Sequence, residues 1–142
     1  MITLVKILHI AVAAAWFGHK LLIPIDLRTS LGDEGAARHL VNRLTRAETL
    51  GIATGLGTLA TGALLVVLIG PGSVSDGVWV GLGLVLAAIA LGGIVARPAS
   101  NRLRSAVGSG DLALARQSAG SISQVLIAES LLWSGALIAM IL

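Results

Sequence analysis

A small set of ionisable and aromatic side chains lies within otherwise apolar stretches of the sequence. Five of them fall in Leu4–Pro24 and one in the last apolar run: Lys6, His9, Trp16, His19, Lys20 and Glu129. Imidazoles and amines can bind a cofactor or pass on a proton, and a carboxylate can carry one. Charged groups are costly in hydrocarbon, so these side chains must face protein or a water-filled cavity.

The five groups of the first stretch do not all share one face. At 100° per residue, Lys6, His9, Trp16 and Lys20 form one stripe along a helix, and His19 lies to its side. Two interpretations are open. Either the lysines reach opposite membrane surfaces while His9 hydrogen-bonds a neighbouring helix, or His9 holds a metal or haem.

Metal binding is restricted by spacing and composition. His9 and His19 are about 15 Å apart along a helix, so the two cannot bind one metal ion. Copper(I) favours thiolate and thioether ligands, but the chain has no cysteine and only two methionines. We therefore predict no confident metal site. A haem held by His9 would need its second ligand from Lys6, His19, water or a second copy of the chain.

The order of His9, Trp16-Phe17-Gly18 and Pro24 resembles the first helix of the HemJ-type protoporphyrinogen oxidases. It is also similar to the first helix of the CopD-type copper-resistance proteins and of related small membrane families. The resemblance implies haem b as a cofactor and His9 as an axial ligand. HemJ-type oxidases are expected to carry a lysine and a second histidine in the third helix. Residues 77–96 contain neither, which argues against oxidase activity.

The composition indicates an integral membrane protein. Hydrophobic residues make up 56% of the 142 residues and charged residues 12%. Four apolar runs approach the ~20 residues that a helix needs to cross a bilayer. We predict an all-α four-helix bundle in one transmembrane domain, 1–142, with helices at about 3–26, 47–70, 77–97 and 118–142.

Two basic segments connect the predicted spans. The segments 27–48 and 97–117 carry four arginines each, whereas the connection 71–76 has no Lys or Arg. By the positive-inside rule, both termini face out and both basic segments face the cytoplasm, with the bacterial inner membrane as the expected location. The arginines therefore act as topology signals, and nucleic acid is not an expected partner. Within the first segment, 36–50 has helical spacing and His39 is expected to be solvated.

The two halves of the chain are similar to one another. Residues 27–32 match 103–108, and Ala37-Arg38 matches Ala115-Arg116, so each half reads as helix, basic segment, helix. This pattern predicts two parallel-repeat hairpins related by an axis along the membrane normal. In the second helix, Gly51, Gly55, Thr58 and Gly62 form a face of small residues that predicts close helix packing.

Three functions remain open. The first is a haem- or metal-associated role through His9. The second is an accessory or assembly subunit that works in a homo-oligomer or with a partner membrane subunit. The third is a small transporter or proton pathway that uses Glu129. We expect Glu129 to lie near the bilayer centre, to face the first helix and to hydrogen-bond Trp16 or a histidine.

Overall fold

The computed structural model describes residues 1–32 and 34–141, with Glu34 described in its backbone only. Five α-helices account for most of these residues: α1 Ile2–Ser30, α2 Glu34–Ile69, α3 Asp76–Leu91, α4 Arg97–Ser109 and α5 Leu112–Ile141. A π-helical segment, Gly92–Ala96, joins α3 to α4, so Asp76–Ser109 forms one continuous rod. The described chain is thus an all-α bundle of four long helical rods.

The rods are longer than predicted at the basic ends. Residues 97–117 and the start of 27–48 were predicted to connect spans, but α1 runs to Ser30 and α4 fills Arg97–Ser109. The helical spacing predicted for 36–50 is confirmed, because α2 begins at Glu34. The first helix was expected to end near Pro24, which in fact lies inside α1. The loss of one hydrogen bond at Pro24 is tolerated because Leu27 and Leu31 beyond it are buried in the core.

Tight turns reverse the chain between rods. Gly70 has φ +94° and precedes a 3₁₀ turn at Pro71–Ser73, which leads to α3. Gly110 has φ +75° and ends α4 in the left-handed conformation, where a side chain would be strained. Asp111 then accepts a hydrogen bond from the Leu114 N–H at 2.9 Å and caps the start of α5.

Packing is densest at the basic end of the bundle. Helix α1 packs against α2 and α5, α3 packs against α5, and α4 packs against α5 and α2. The main core draws on both halves of the chain: Leu27, Leu31, Ala37, Leu40 and Leu44 meet Ala99, Leu103, Ala106, Val107, Ala115, Ala119, Ile122 and Leu126. A second, smaller cluster forms around Trp16, Val85 and Ala136.

The rest of the bundle has an apolar outer surface. All four rods are long and apolar enough to cross a membrane. Large hydrophobic side chains such as Leu4, Leu22, Val67 and Leu131 point outwards, which suits contact with lipid. The 30 residues of α5 extend about 45 Å, longer than the ~30 Å hydrocarbon layer, so rod ends project beyond it. The protein is therefore an integral membrane protein.

Candidate intramembrane ion-pair site

An ion pair joins the first and last helices inside the apolar part of the bundle. The Lys20 ammonium of α1 donates a hydrogen bond to Glu129 Oε2 of α5. The side chain of Glu129 is 4% exposed and that of Lys20 is 19% exposed. Each charge compensates the other in a region where an isolated charge would be strongly disfavoured.

Aromatic side chains lie close in sequence to both members of the pair. The Lys20 Nζ lies 5.0 Å from the ring centroid of Trp16, a cation–π contact one turn along α1. Phe17 stacks on Trp133 of α5, with centroids 4.9 Å apart and planes 21° apart. The indole N–H of Trp133 is buried and has no hydrogen-bond partner among the residues that the structure describes. The Trp16 ring thus contacts the Lys20 ammonium, and the stacked Phe17–Trp133 pair joins the same two helices.

The π-helical segment forms another wall of the site. A Cβ placed on Gly92 would lie 2.6 Å from Glu129 Oε1, so only glycine allows the carboxylate to approach this closely. The segment starts at this residue, and the Arg97 N–H bonds the Gly92 carbonyl five residues back. Such π turns accommodate an irregularity in a helix and often lie at functional sites. Pro98 lies in the first turn of α4, where a missing N–H is tolerated.

A lateral groove opens beside Lys20 between α1 and α5. Its volume is about 270 Å³, and its lining is Lys20, Leu21, Pro24, Leu126, Ile127, Ser130 and Leu131. The Ser130 hydroxyl donates to the Leu126 carbonyl at 2.8 Å within its own helix. Lys20 is therefore the ionisable group that this otherwise apolar groove presents.

Three of the sequence-predicted side chains of α1 pack against glycines of α2. A Cβ on Gly62 would lie 3.1 Å from His9 Cε1, one on Gly55 would lie 3.3 Å from Trp16, and one on Gly51 would lie 3.0 Å from His19. The three side chains meet the three glycines in opposite chain order, as antiparallel helices require. The small-residue face of the second helix thus packs against α1, which confirms the predicted close packing and identifies its partner.

Hydrogen bonds fix the two imidazoles. His9 Nδ1 lies 2.8 Å from the Thr61 hydroxyl of α2, and His19 Nδ1 lies 3.0 Å from the Ala15 carbonyl of its own helix. His9 is half-buried and does point into the bundle, as predicted. Its contacts match the interpretation of a histidine that links two helices.

A haem fits these surroundings poorly. Thr61 engages Nδ1 of His9, which leaves Nε2 as the nitrogen that could bind a haem, but this side of the ring lies against the α2 backbone at Gly62. Neither of the two surface grooves described for the chain includes His9 in its lining. In the part of the chain that the structure describes, no three His, Asp or Glu side chains cluster closely enough to hold a metal ion.

The sequence located Glu129 correctly but not its partner. Glu129 faces α1, as predicted, yet the direct partner is Lys20 instead of Trp16 or a histidine. The length of the lysine side chain was not weighed, although Lys20 belongs to the predicted stripe. Lys6 and His39 are exposed. The role of Gly92 was missed, and the adjacent Gly92-Gly93 pair ahead of Pro98 was the available signal.

The chain was compared with protein families, curated proteins and solved structures. No protein-family model, curated protein or solved structure matches the chain.

Proposed function

We propose that this protein binds and releases a proton at Glu129 as part of a proton pathway or a small proton-coupled transporter. The observation that carries the proposal is the buried Lys20–Glu129 pair within the membrane-spanning bundle. Intramembrane ionisable residues are costly, and transporters use them as proton relays. A buried ion pair contributes little net stability, so a purely structural role would be served as well by apolar packing.

Access to the pair supports this function. Glu129 is almost fully enclosed, but Lys20 reaches the surface of the groove, whose lining on α1 extends from Lys20 to Pro24. A proton or charged solute can therefore approach the pair along α1. The π-helical segment beside Glu129 provides a helix turn that can rearrange when the carboxylate changes charge.

Proton uptake by reconstituted protein tests the proposal. Liposomes with an internal pH dye and an imposed membrane potential should acidify faster with the protein than without it. Glu129→Gln keeps the side-chain shape but cannot titrate, so it should reduce the rate to that of empty liposomes. Glu48→Gln is the matched control, because Glu48 pairs with Arg104 at the basic end of the bundle. Unchanged uptake by Glu129→Gln would refute the proposal.

The predicted haem-ligand role of His9 and the predicted partner subunits can be tested independently of proton uptake. The haem-ligand role of His9 stays a prediction, and a visible spectrum of the purified protein tests it. A Soret band lost in His9→Ala would establish that role. A colourless protein that moves no protons would instead favour an accessory subunit, acting in a homo-oligomer or with a partner membrane protein.

We also propose that the two halves are repeats within a bacterial inner-membrane protein whose basic end faces the cytoplasm. Burial at matched positions supports the repeat. Leu27 and Leu103 are 1% and 0% exposed, and Ala37 and Ala115 are both 0% exposed. These pairs come from the two aligned sequence segments and lie in one core cluster. The arginines at the same end support the orientation.

A further inference from the structure

We propose that the groove beside Lys20 binds a single-chain amphiphile with a carboxylate head group, and that each ligand binds together with one proton on Glu129. This inference rests on the proposed function and names the class of solute to which the proton site is coupled. It starts from the position of the ion pair at the edge of a lateral, lipid-side groove.

The groove has the composition that an acyl chain requires. Leucine, isoleucine and proline side chains from α1 and α5 form most of its wall, and the wall meets the apolar outer surface of the bundle at Ile127 and Leu131. Apolar ligands gain free energy by burial against such a wall. Lys20 supplies the one charged group, which fixes where a head group would lie.

Charge balance determines what can join the pair. The site holds one ammonium and one carboxylate, so it is neutral. An anion that approaches Lys20 adds an uncompensated negative charge in a region of low dielectric constant. Neutrality is restored when Glu129 takes up a proton from water and releases Lys20. The ammonium then donates its hydrogen bond to the ligand carboxylate, and the site is neutral again with one proton and one anion added.

The size and sign of the site select the ligand class. The volume of about 270 Å³ lies just below the ~300–1,000 Å³ of pockets for drug-sized molecules, so it suits one short chain better than the two chains of a phospholipid. A cationic head group would be repelled by Lys20. A neutral head group brings no charge that would displace the Glu129 carboxylate from Lys20, so it gains no ionic hydrogen bond from the ammonium.

Binding of radiolabelled laurate to the purified protein in detergent tests this inference. The wild-type protein should bind laurate and take up about one proton per ligand from weakly buffered solution. Affinity should therefore fall about tenfold per pH unit across the range where Glu129 must be protonated for binding. Dodecanol, dodecyltrimethylammonium and phosphatidylglycerol should compete poorly. Strong competition by phosphatidylglycerol would identify a lipid site and overturn the assignment to single-chain carboxylates.

Variants separate proton uptake by Glu129 from anion binding by Lys20. Glu129→Gln imitates the protonated carboxyl, so it should bind laurate at least as tightly as wild type, without proton uptake and without the pH dependence. Lys20→Met should lose binding at least tenfold, whereas Lys6→Met, an exposed lysine on the same helix, should not. Laurate binding that survives Lys20→Met, or wild-type binding without proton uptake, would overturn the inference.

The stoichiometry of proton uptake is measured on the wild-type protein, so the test does not depend on the folding of any variant. Its outcome is also distinct from that of the liposome assay. Proton movement without laurate binding would leave the proposed function standing and remove this ligand class. Proton-linked laurate binding without transmembrane proton movement would support the carboxylate site and refute the proposed proton transport.

Discussion

Lys20 and Glu129 compensate each other's charge inside the bundle. Both lie in apolar helices, and the carboxyl group is nearly inaccessible to solvent. Removing one partner leaves a buried charge without compensation, which costs far more than the pair contributes when intact. Removing both leaves an apolar contact between α1 and α5. Substitutions of Lys20 and Glu129 should therefore have strongly non-additive effects on the free energy of unfolding.

A double-mutant cycle should reveal this signature. Lys20→Met and Glu129→Leu should each lower the free energy of unfolding by about 3–5 kcal/mol, because each leaves an unpaired buried charge. The double variant should lose less free energy of unfolding than the two single variants added together, by more than about 1 kcal/mol. Denaturation in mixed micelles measures the three variants against wild type.

Lys6→Met provides the control for this cycle. Lys6 belongs to the same helix face but is exposed, so its replacement should change stability by less than about 0.5 kcal/mol. Strictly additive effects of the Lys20 and Glu129 substitutions would show that the two side chains do not interact.

At the scale of the elements, glycine determines how closely helices approach. On α2, glycines receive the large side chains of α1. On α3, Gly77 instead lies against the α5 backbone at the Ala139 carbonyl, and Gly81 meets the Met140 side chain and the Ala136 carbonyl. A flexible side chain can move aside, but a backbone carbonyl within a helix cannot. The α3–α5 contact should therefore be the less tolerant of an added methyl group.

Gly77→Ala should destabilise the protein by about 1–3 kcal/mol, because its Cβ would overlap the Ala139 carbonyl oxygen. Thermal unfolding in detergent measures the change. Gly83→Ala on the same helix is the matched control, since a Cβ there has nothing within 4 Å. That substitution should be neutral or slightly stabilising, because alanine favours the helix by up to ~1 kcal/mol. Equal effects at the two glycines would contradict the close approach of α3 and α5.

At the scale of the whole molecule, two regions differ in how they are held together. The basic end has a continuous apolar core made by α1, α2, α4 and α5. Ion pairs across its surface, Arg43 with Asp26 at 2.8 Å and Arg104 with Glu48, add links between rods. The remaining bundle buries fewer large side chains and has an apolar exterior. The basic end therefore holds the two halves together around the ion-pair site.

Truncation of Leu27 and Leu103, which occupy equivalent positions in the two aligned sequence segments, should show how much the basic-end core contributes to stability. Leu27→Ala and Leu103→Ala should each cost about 2–5 kcal/mol and be similar in size, because both side chains are fully buried in the same cluster. Leu22→Ala, at a position 67% exposed, should cost far less. Chemical denaturation of the three variants makes the comparison. Clearly unequal costs at 27 and 103 would count against the repeat.

Orientation in the membrane is tested by thiol labelling. The natural chain has no cysteine, so Ser73→Cys and Ser109→Cys each introduce a single reactive group. Both positions are exposed, in the turn before α3 and at the end of α4. An impermeant maleimide should label Ser73→Cys in intact cells and Ser109→Cys only after lysis. Labelling in the opposite order would invert the proposed topology.

The sequence alone determined the class of protein and the positions of its apolar rods. Hydrophobicity and helical periodicity are local properties, so four spans, the small-residue face of α2 and the inward direction of His9 could be predicted. Helix ends could not be predicted in the same way. Pro24 and the second arginine-rich segment argue locally for breaks, whereas burial of Leu27 and Leu103 in one core cluster holds those segments helical.

The tertiary structure decided which groups meet. Lys20 and Glu129 are 109 positions apart, and their contact depends on the packing of α1 against α5, which no local pattern encodes. Helical-wheel and depth arguments placed Glu129 opposite the first helix, but they could not choose among Trp16, the histidines and a lysine with a long, flexible side chain. The close approach of Gly92 to Glu129 could not be predicted either. A glycine is required there only because the Glu129 carboxylate of another helix packs against it.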